Sequence, residues 1–301
     1  MTAADGDGEA TVEPVAPAAA TAPGGSGRAP VAHPRQWALQ AVLVGLVAGF
    51  LAGLFGVGGG ILIVPALVLL MHMDQRLAHG TSLAAVLPIA ISSLIGYSLE
   101  DKVDWPVGAL LAVGAVAGAV IGTHILHVIP HRALAYTFAA FLLLTAMRLL
   151  LDNTDALGRS ELSAGKVVVL LVVGLIAGIL AGLLGVGGGI VMVPAMVVLF
   201  HIPAVVAKGT SLAVIVPTSV MGTWRNRRNH NTDLRVALVV GLAGVVSGFA
   251  ASQISVGMSE STSNLLFAIL LTAVAIRMLL QLRAEKRAAS TVPTAEAADP
   301  G

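Results

Sequence analysis

A chain of 301 residues that is 56% hydrophobic and only 11% charged, with a mean hydropathy of +0.91, has too little polar surface for a soluble globular domain. Its net charge of +1 offers no basic face for nucleic acid. The absence of cysteine excludes disulfides, thiolate metal centres, Fe–S clusters and thiol catalysis.

Residues 1–35 are rich in Ala, Pro, Gly and Thr and carry Asp5, Asp7, Glu9 and Glu13, so they are expected to form a disordered tail. The acidic start and long first apolar run do not have the form of a cleaved signal peptide, and the tail is expected to be retained. From Trp37 to Met73 the only ionisable residue is His72. A straight helix over that length would measure ~55 Å, against about 30 Å of hydrocarbon. The segment is therefore expected to break, and Gly58, Gly59 and Gly60 are where it can, with Pro65 in the first turns of the following piece.

Apolar stretches follow at Thr81–Leu99, Pro106–Leu126 and Ala133–Leu151, and then a polar joint divides the chain. Beyond it the pattern recurs at a fixed offset of 129. Gly45–Ala66 and Gly174–Ala195 share 17 of 22 positions, including every glycine and the proline. The same offset pairs Gly187, Gly188, Gly189 and Pro194 with the first break, Thr210 and Ser211 with Thr81 and Ser82, and Pro217 with Pro88. It also pairs Asp233 with Asp104 and Arg277 with Arg148.

The expected fold is an all-α polytopic membrane protein of two homologous halves, each with four transmembrane spans and a glycine-broken short helix. The domains are a repeat over 36–151, a linker over 152–165, a second repeat over 166–282 and a disordered tail over 283–301. Four arginines between Arg225 and Arg235, with the basic C-terminal flank, place that loop and both termini in the cytoplasm. If each broken piece enters and returns, the halves are inverted; if it crosses once, they are parallel 4+4 repeats. The acidic loop Glu100–Asp104, opposite in charge to its repeat partner, favours inversion, whereas Arg148 and Arg277 at matching span ends favour the parallel arrangement.

At a break, backbone N–H groups lose their helical partners, and the start of the next helix suits an anion. The alternative is that the glycines only let helices pack closely, as the four-residue spacings Gly45, Gly49, Gly53 and Gly174, Gly178, Gly182 allow. Thr81, Ser82, Thr210 and Ser211 are either helix caps or ligands for a substrate oxygen. Pro88 and Pro217 would kink their helices, or simply pack. His79 and Lys208 share a repeat position and would add positive charge at the breaks, or else snorkel to the interface. His72 and His201 also match, without carboxylates at ligand spacing, so no metal site is expected. No cofactor motif and no hydrolase signature is present, and an enzyme is not expected.

The doubled GLxAGxLAGLxGVGGGIxxVPAxV and GTSLA motifs, over about residues 40–282, resemble the TauE/SafE family of sulfite-exporter-like transporters. The resemblance implies a cytoplasmic-membrane transporter of sulfite, sulfonates or other organosulfur anions, with a coupling ion and no cofactor. It carries the family motif onto Gly56, Gly58, Gly59, Gly60 and Pro65, onto Gly185, Gly187, Gly188, Gly189 and Pro194, and onto both GTSL segments. On this reading the two breaks face each other near the bilayer middle, and rocking of the halves exposes the anion alternately. A membrane scaffold whose glycines only pack helices is the competing reading.

Overall fold

The computed structural model describes residues 34–125, 131–151, 163–184 and 188–290. Residues 1–33, most of the 152–165 linker, Gly185, Gly187 and residues 291–301 lie outside them. The described elements are all helices: α1 (Pro34–Phe55), α2 (Gly60–Met71), α3 (Gln75–Ser98), α4 (Trp105–Ile125), α5 (His131–Leu151), α6 (Ala164–Leu184), α7 (Gly189–Phe200), α8 (Ala204–Arg228), α9 (Leu234–Gly257) and α10 (Glu260–Ser290). Helix α1 starts on Pro34, whose fixed φ and missing N–H suit a first helical position. Helix α10 continues past 282 to Ser290, where the expected disordered tail was drawn, because the added residues are mostly the strong helix formers Ala, Arg, Glu and Lys.

Among the described residues, five helices are long and apolar enough to cross a membrane: α1, α3, α8, α9 and α10. Shorter apolar stretches occupy 105–120 of α4, 139–151 of α5 and 164–180 of α6, while α2 and α7 have twelve residues each. The surface is apolar, with Leu151 72% exposed and Leu39, Val113 and Val246 also open, as expected where the solvent is lipid.

Small-residue stripes decide which helices meet. Gly45, Gly49 and Gly53 of α1 lie against the backbone at Val240, Gly244 and Gly248 of α9, so close that a Cβ on any of them would collide with a carbonyl oxygen. The repeat-equivalent seam joins α6 to α4, where Gly174 and Gly178 meet Leu111 and Ala115 while Gly114 and Gly118 meet Leu171 and Leu175. Both seams ascend together, so each pair runs in one direction. Helix α3 also runs with α9, from Pro88 at Gly241 through Ile89 at Gly244 to Gly96 at Ser252.

Helices α1 and α3 therefore point the same way. The three residues between α2 and α3 span at most ~10 Å. Helix α2 itself must carry the chain back, over about 18 Å. At the centre α3 and α8 are antiparallel: Gly80 near the start of α3 meets Asn231 beyond the end of α8, and Gly209 near the start of α8 meets Tyr97 and Lys102 at the end of α3. Two apolar cores result, one from α1, α2, α3 and the start of α9 with Leu212 and Ile215 of α8, the other from α4, α5, α6, α7, α8 and α10 with Leu54, Phe55 and Val57 at and just beyond the end of α1 and Ala251 of α9. Each bundle thus draws on helices of both sequence halves.

Gly49→Ala is expected to lower stability by about 1–3 kcal/mol in thermal unfolding of the detergent-purified protein, although alanine favours helix by up to ~1 kcal/mol. Gly165→Ala, at a helical glycine with no atom within 4 Å of the added methyl, is expected to be neutral or stabilising.

Candidate functional site: the first glycine break

Helix α1 stops at Phe55 because Gly56, Gly58 and Gly59 take φ of 69°, 75° and 74°, a left-handed backbone that side chains with a Cβ rarely adopt. Gly59 is the N-cap of α2, and Gly188, with φ of 75°, caps α7 in the same geometry. Both short helices end alike: His72 and His201 sit in the left-handed C-cap conformation, their N–H groups donating to Leu67 and Met196 carbonyls. Histidine is among the residue types that tolerate that conformation, which accounts for the matched histidines without a metal. Pro65 and Pro194 lie within α2 and α7, and Pro88 and Pro217 within α3 and α8. Pro88 fills the close approach to Gly241.

The carbonyls freed by the first break are taken by buried hydroxyls. Tyr97 Oη donates to the Gly53 carbonyl at 2.8 Å, Ser255 Oγ to Leu54 at 3.0 Å, and Ser211 Oγ to Gly56 at 2.5 Å. The same hydroxyl proton is shared with the Lys208 carbonyl, 2.7 Å away. The donors are treated differently. Leu62 and Ile63 turn their N–H groups back to the Gly59 carbonyl, but among the described residues the N–H groups of Gly58, Gly59, Gly60 and Ile61 have no acceptor. In a bilayer an unmatched polar group costs several kcal/mol, so this segment is a set of amides awaiting an acceptor.

Lys208 stands beside it. Its own backbone and Cβ lie against Gly56, where a Cβ would collide. The side chain is 1% exposed, so it does not snorkel. Nζ donates to Ser263 Oγ at 2.7 Å and lies 5.7 Å from the Phe55 ring centroid and 5.4 Å from that of Phe267. These aromatic faces attract a cation but do not neutralise it. Among the described residues no carboxylate lies within 4 Å of the ammonium.

The second break meets the first: a Cβ on Gly189 would touch the Gly56 carbonyl and Val57. Ile215 lies against both Gly58 and Gly189, and Val86, its repeat partner, against Gly58. The predicted residues Gly58, Gly59, Gly60, Gly188, Gly189, Ser211 and Lys208 therefore share one neighbourhood, and Gly187 lies outside the described residues. Thr81 and Thr210 have another task, each accepting at 2.9 Å the N–H of an aspartate in the opposite half, Asp233 and Asp104 respectively. Both aspartates cap the helix that follows them. Ser82 is buried, and His79 half-buried. The repeat did not point to Ser263, Phe55, Tyr97 or Ser255.

The sequence matches the family described as Sulfite exporter TauE/SafE over residues 15–149 and 170–298, most of its length. The chain belongs to that family. Among curated proteins it is similar to the probable membrane transporter protein YunE of Bacillus subtilis, at 27% identity covering 80% of this chain and 96% of that one. It also resembles probable membrane transporter proteins of Xylella fastidiosa strain 9a5c, 26% identical over 77% and 91%, and of Haemophilus influenzae, 26% identical over 81% and 98%. No solved structure matches. The TauE/SafE chain described here is a multi-pass membrane protein of a transporter family.

Tyr97→Phe removes the Gly53 carbonyl's side-chain partner within the membrane. It is expected to cost about 1–3 kcal/mol in thermal unfolding, while leaving any ligand-induced stabilisation intact.

Proposed function

We propose that the protein is a secondary transporter of a small oxyanion, sulfite, a sulfonate or another organosulfur anion, bound at the first glycine break. The observation that carries this reading is Lys208, a buried ammonium with aromatic and hydroxyl neighbours but no anionic partner among the described residues. An isolated buried charge is expensive, and an incoming anion would supply its counter-charge. The amides of Gly58 to Ile61 and the positive end of α2 add donors with the same preference. The family description supplies the sulfur-containing class. A coupling ion would move with the anion.

The antiparallel α3 and α8, and the return of α2 between the co-directional α1 and α3, support inverted repeats, with five membrane elements in each half and the short helices α2 and α7 carrying the chain back. Ten elements put both termini on one side, with the arginines of the α8–α9 loop, and the positive-inside rule puts that side in the cytoplasm. A reporter inserted after Lys102 is then expected outside the cytoplasm and one after Asn229 inside. Finding both on one side would sink the inverted arrangement.

Sulfite or a short alkyl sulfonate at a hundredfold excess over its dissociation constant should stabilise the purified protein by about 2.7 kcal/mol. Lys208→Met keeps the bulk and removes the charge, so its unliganded form should be as stable as wild type or more so, with the anion response and transport in proteoliposomes lost. A Lys208→Met protein that still responds to the anions would overturn the site. A wild type that responds to none of them would favour a scaffold.

A further inference from the structure

The two halves differ most at the ends of their short helices. At the second short helix, Arg148 of α5, from the first half, reaches the C-terminus of α7: one guanidinium nitrogen donates to the Val198 carbonyl at 2.6 Å, another to His201 Nε2 at 2.6 Å. The offset of 129 maps these residues onto Arg277 of α10 and onto Leu69 and His72 of α2. The receiving end is built identically there, since His72 has the same left-handed cap as His201. Yet the contact is not made: Arg277 and His72 are exposed, and Leu69 is 70% exposed. Helix α7 is buried from Gly189 to Met196, whereas α2 buries only Gly60, Ile63, Val64 and Leu67.

Helix α10 is engaged elsewhere. Its first turns bring Ser263 and Phe267 onto Lys208, while its later turns carry Arg277. Where two repeats share one backbone design, an asymmetry of this kind has a counterpart in which the repeats exchange roles. We propose that Arg148 and Arg277 are alternately closed latches of the transport cycle. In the described state Arg148 holds α7 and α10 covers Lys208. In the exchanged state α10 moves to α2, Arg277 donates to the Leu69 carbonyl and His72, and Ser263 and Phe267 leave the ammonium. The cation at the last turn of α2 is favourable in its own right, because unpaired carbonyls and the negative end of the helix gather there. Opening the latch at one end and closing it at the other then uncovers the anion site from opposite sides. Both arginines act by positioning helices and need not touch the anion.

This inference rests on the transporter reading, and its test is separable from it. The chain has no cysteine, so paired cysteines report without background. In membranes, Arg148→Cys with His201→Cys and, separately, His72→Cys with Arg277→Cys are treated with a short bis-maleimide. Both pairs are expected to link within one chain, without doubling the 30.4 kDa mass, and to stop transport when linked. Failure of the 72–277 pair to link while the 148–201 pair does, or linking only between two chains, would overturn the latch. Arg277→Leu, at an exposed position, is expected to slow transport at least tenfold with the anion-induced thermal shift retained. Unchanged transport in Arg277→Leu would overturn it equally. Absence of any anion response in the wild type instead removes the transporter reading itself.

Discussion

The structure turns on what happens to backbone polar groups when a helix is interrupted inside hydrocarbon. Carbonyls and amides are released together at Gly56–Gly59, and lipid satisfies neither. The protein resolves the two unequally. Hydroxyls from Tyr97, Ser211 and Ser255, on three different helices, close onto the carbonyls of Gly53, Gly56 and Leu54, while the amides of Gly58 to Ile61 keep no acceptor among the described residues. Neutralising only the acceptors leaves a site whose residual polarity is positive, and the Lys208 ammonium reinforces that sign. The proposed preference for anions rests on which half of each broken hydrogen bond the protein replaces.

The breaks themselves were legible from length alone, because no straight helix from Trp37 to Met73 fits a bilayer, and repetition located the second one. The stripes at Gly45, Gly49 and Gly53 announced a close helix contact but not its partner. Small residues state that a backbone approaches, and which backbone it is depends on the whole packing. Thr81 and Thr210 were recognisable as special, yet their bonds run to Asp233 and Asp104 across the halves; the matched aspartates were the available clue. Ser263 and Phe55 could not be found by the repeat, because Leu134 and Leu184 stand at the equivalent positions. The positive site exists where the halves diverge, which is where a search for identity stops looking.

That divergence also separates the two breaks. Lys208 has His79 as its counterpart, and the leucines replacing Ser263 and Phe55 offer no hydroxyl and no aromatic face. A buried lysine at one of two adjoining breaks, with histidine at the other, fits the proposed single binding position better than a symmetric pair. Gly189 against Val57 keeps the second break close enough to lend its helix terminus to the same position.

The exchange of helices between halves constrains how such a site can open. Helix α1 is fastened to α9 and α6 to α4 by backbone contacts with no room for a methyl group, so these seams cannot slide by small steps. The natural moving bodies are therefore the mixed bundles, one built on α1, α2, α3 and α9, the other on α4, α6, α7 and α8. Their shared boundary is the antiparallel α3–α8 pair, flanked by the Thr81–Asp233 and Thr210–Asp104 bonds. Ser211 and Lys208 lie on α8, and Leu54, Phe55 and Val57 around Gly56 pack into the core α8 shares, whereas Ile63, Val64 and Leu67 root α2 in the other core. On the proposed transporter reading, a shift of α2 against α8 changes the distance between the ammonium and the free amides, and so couples the grip on an anion to the side from which it is reached.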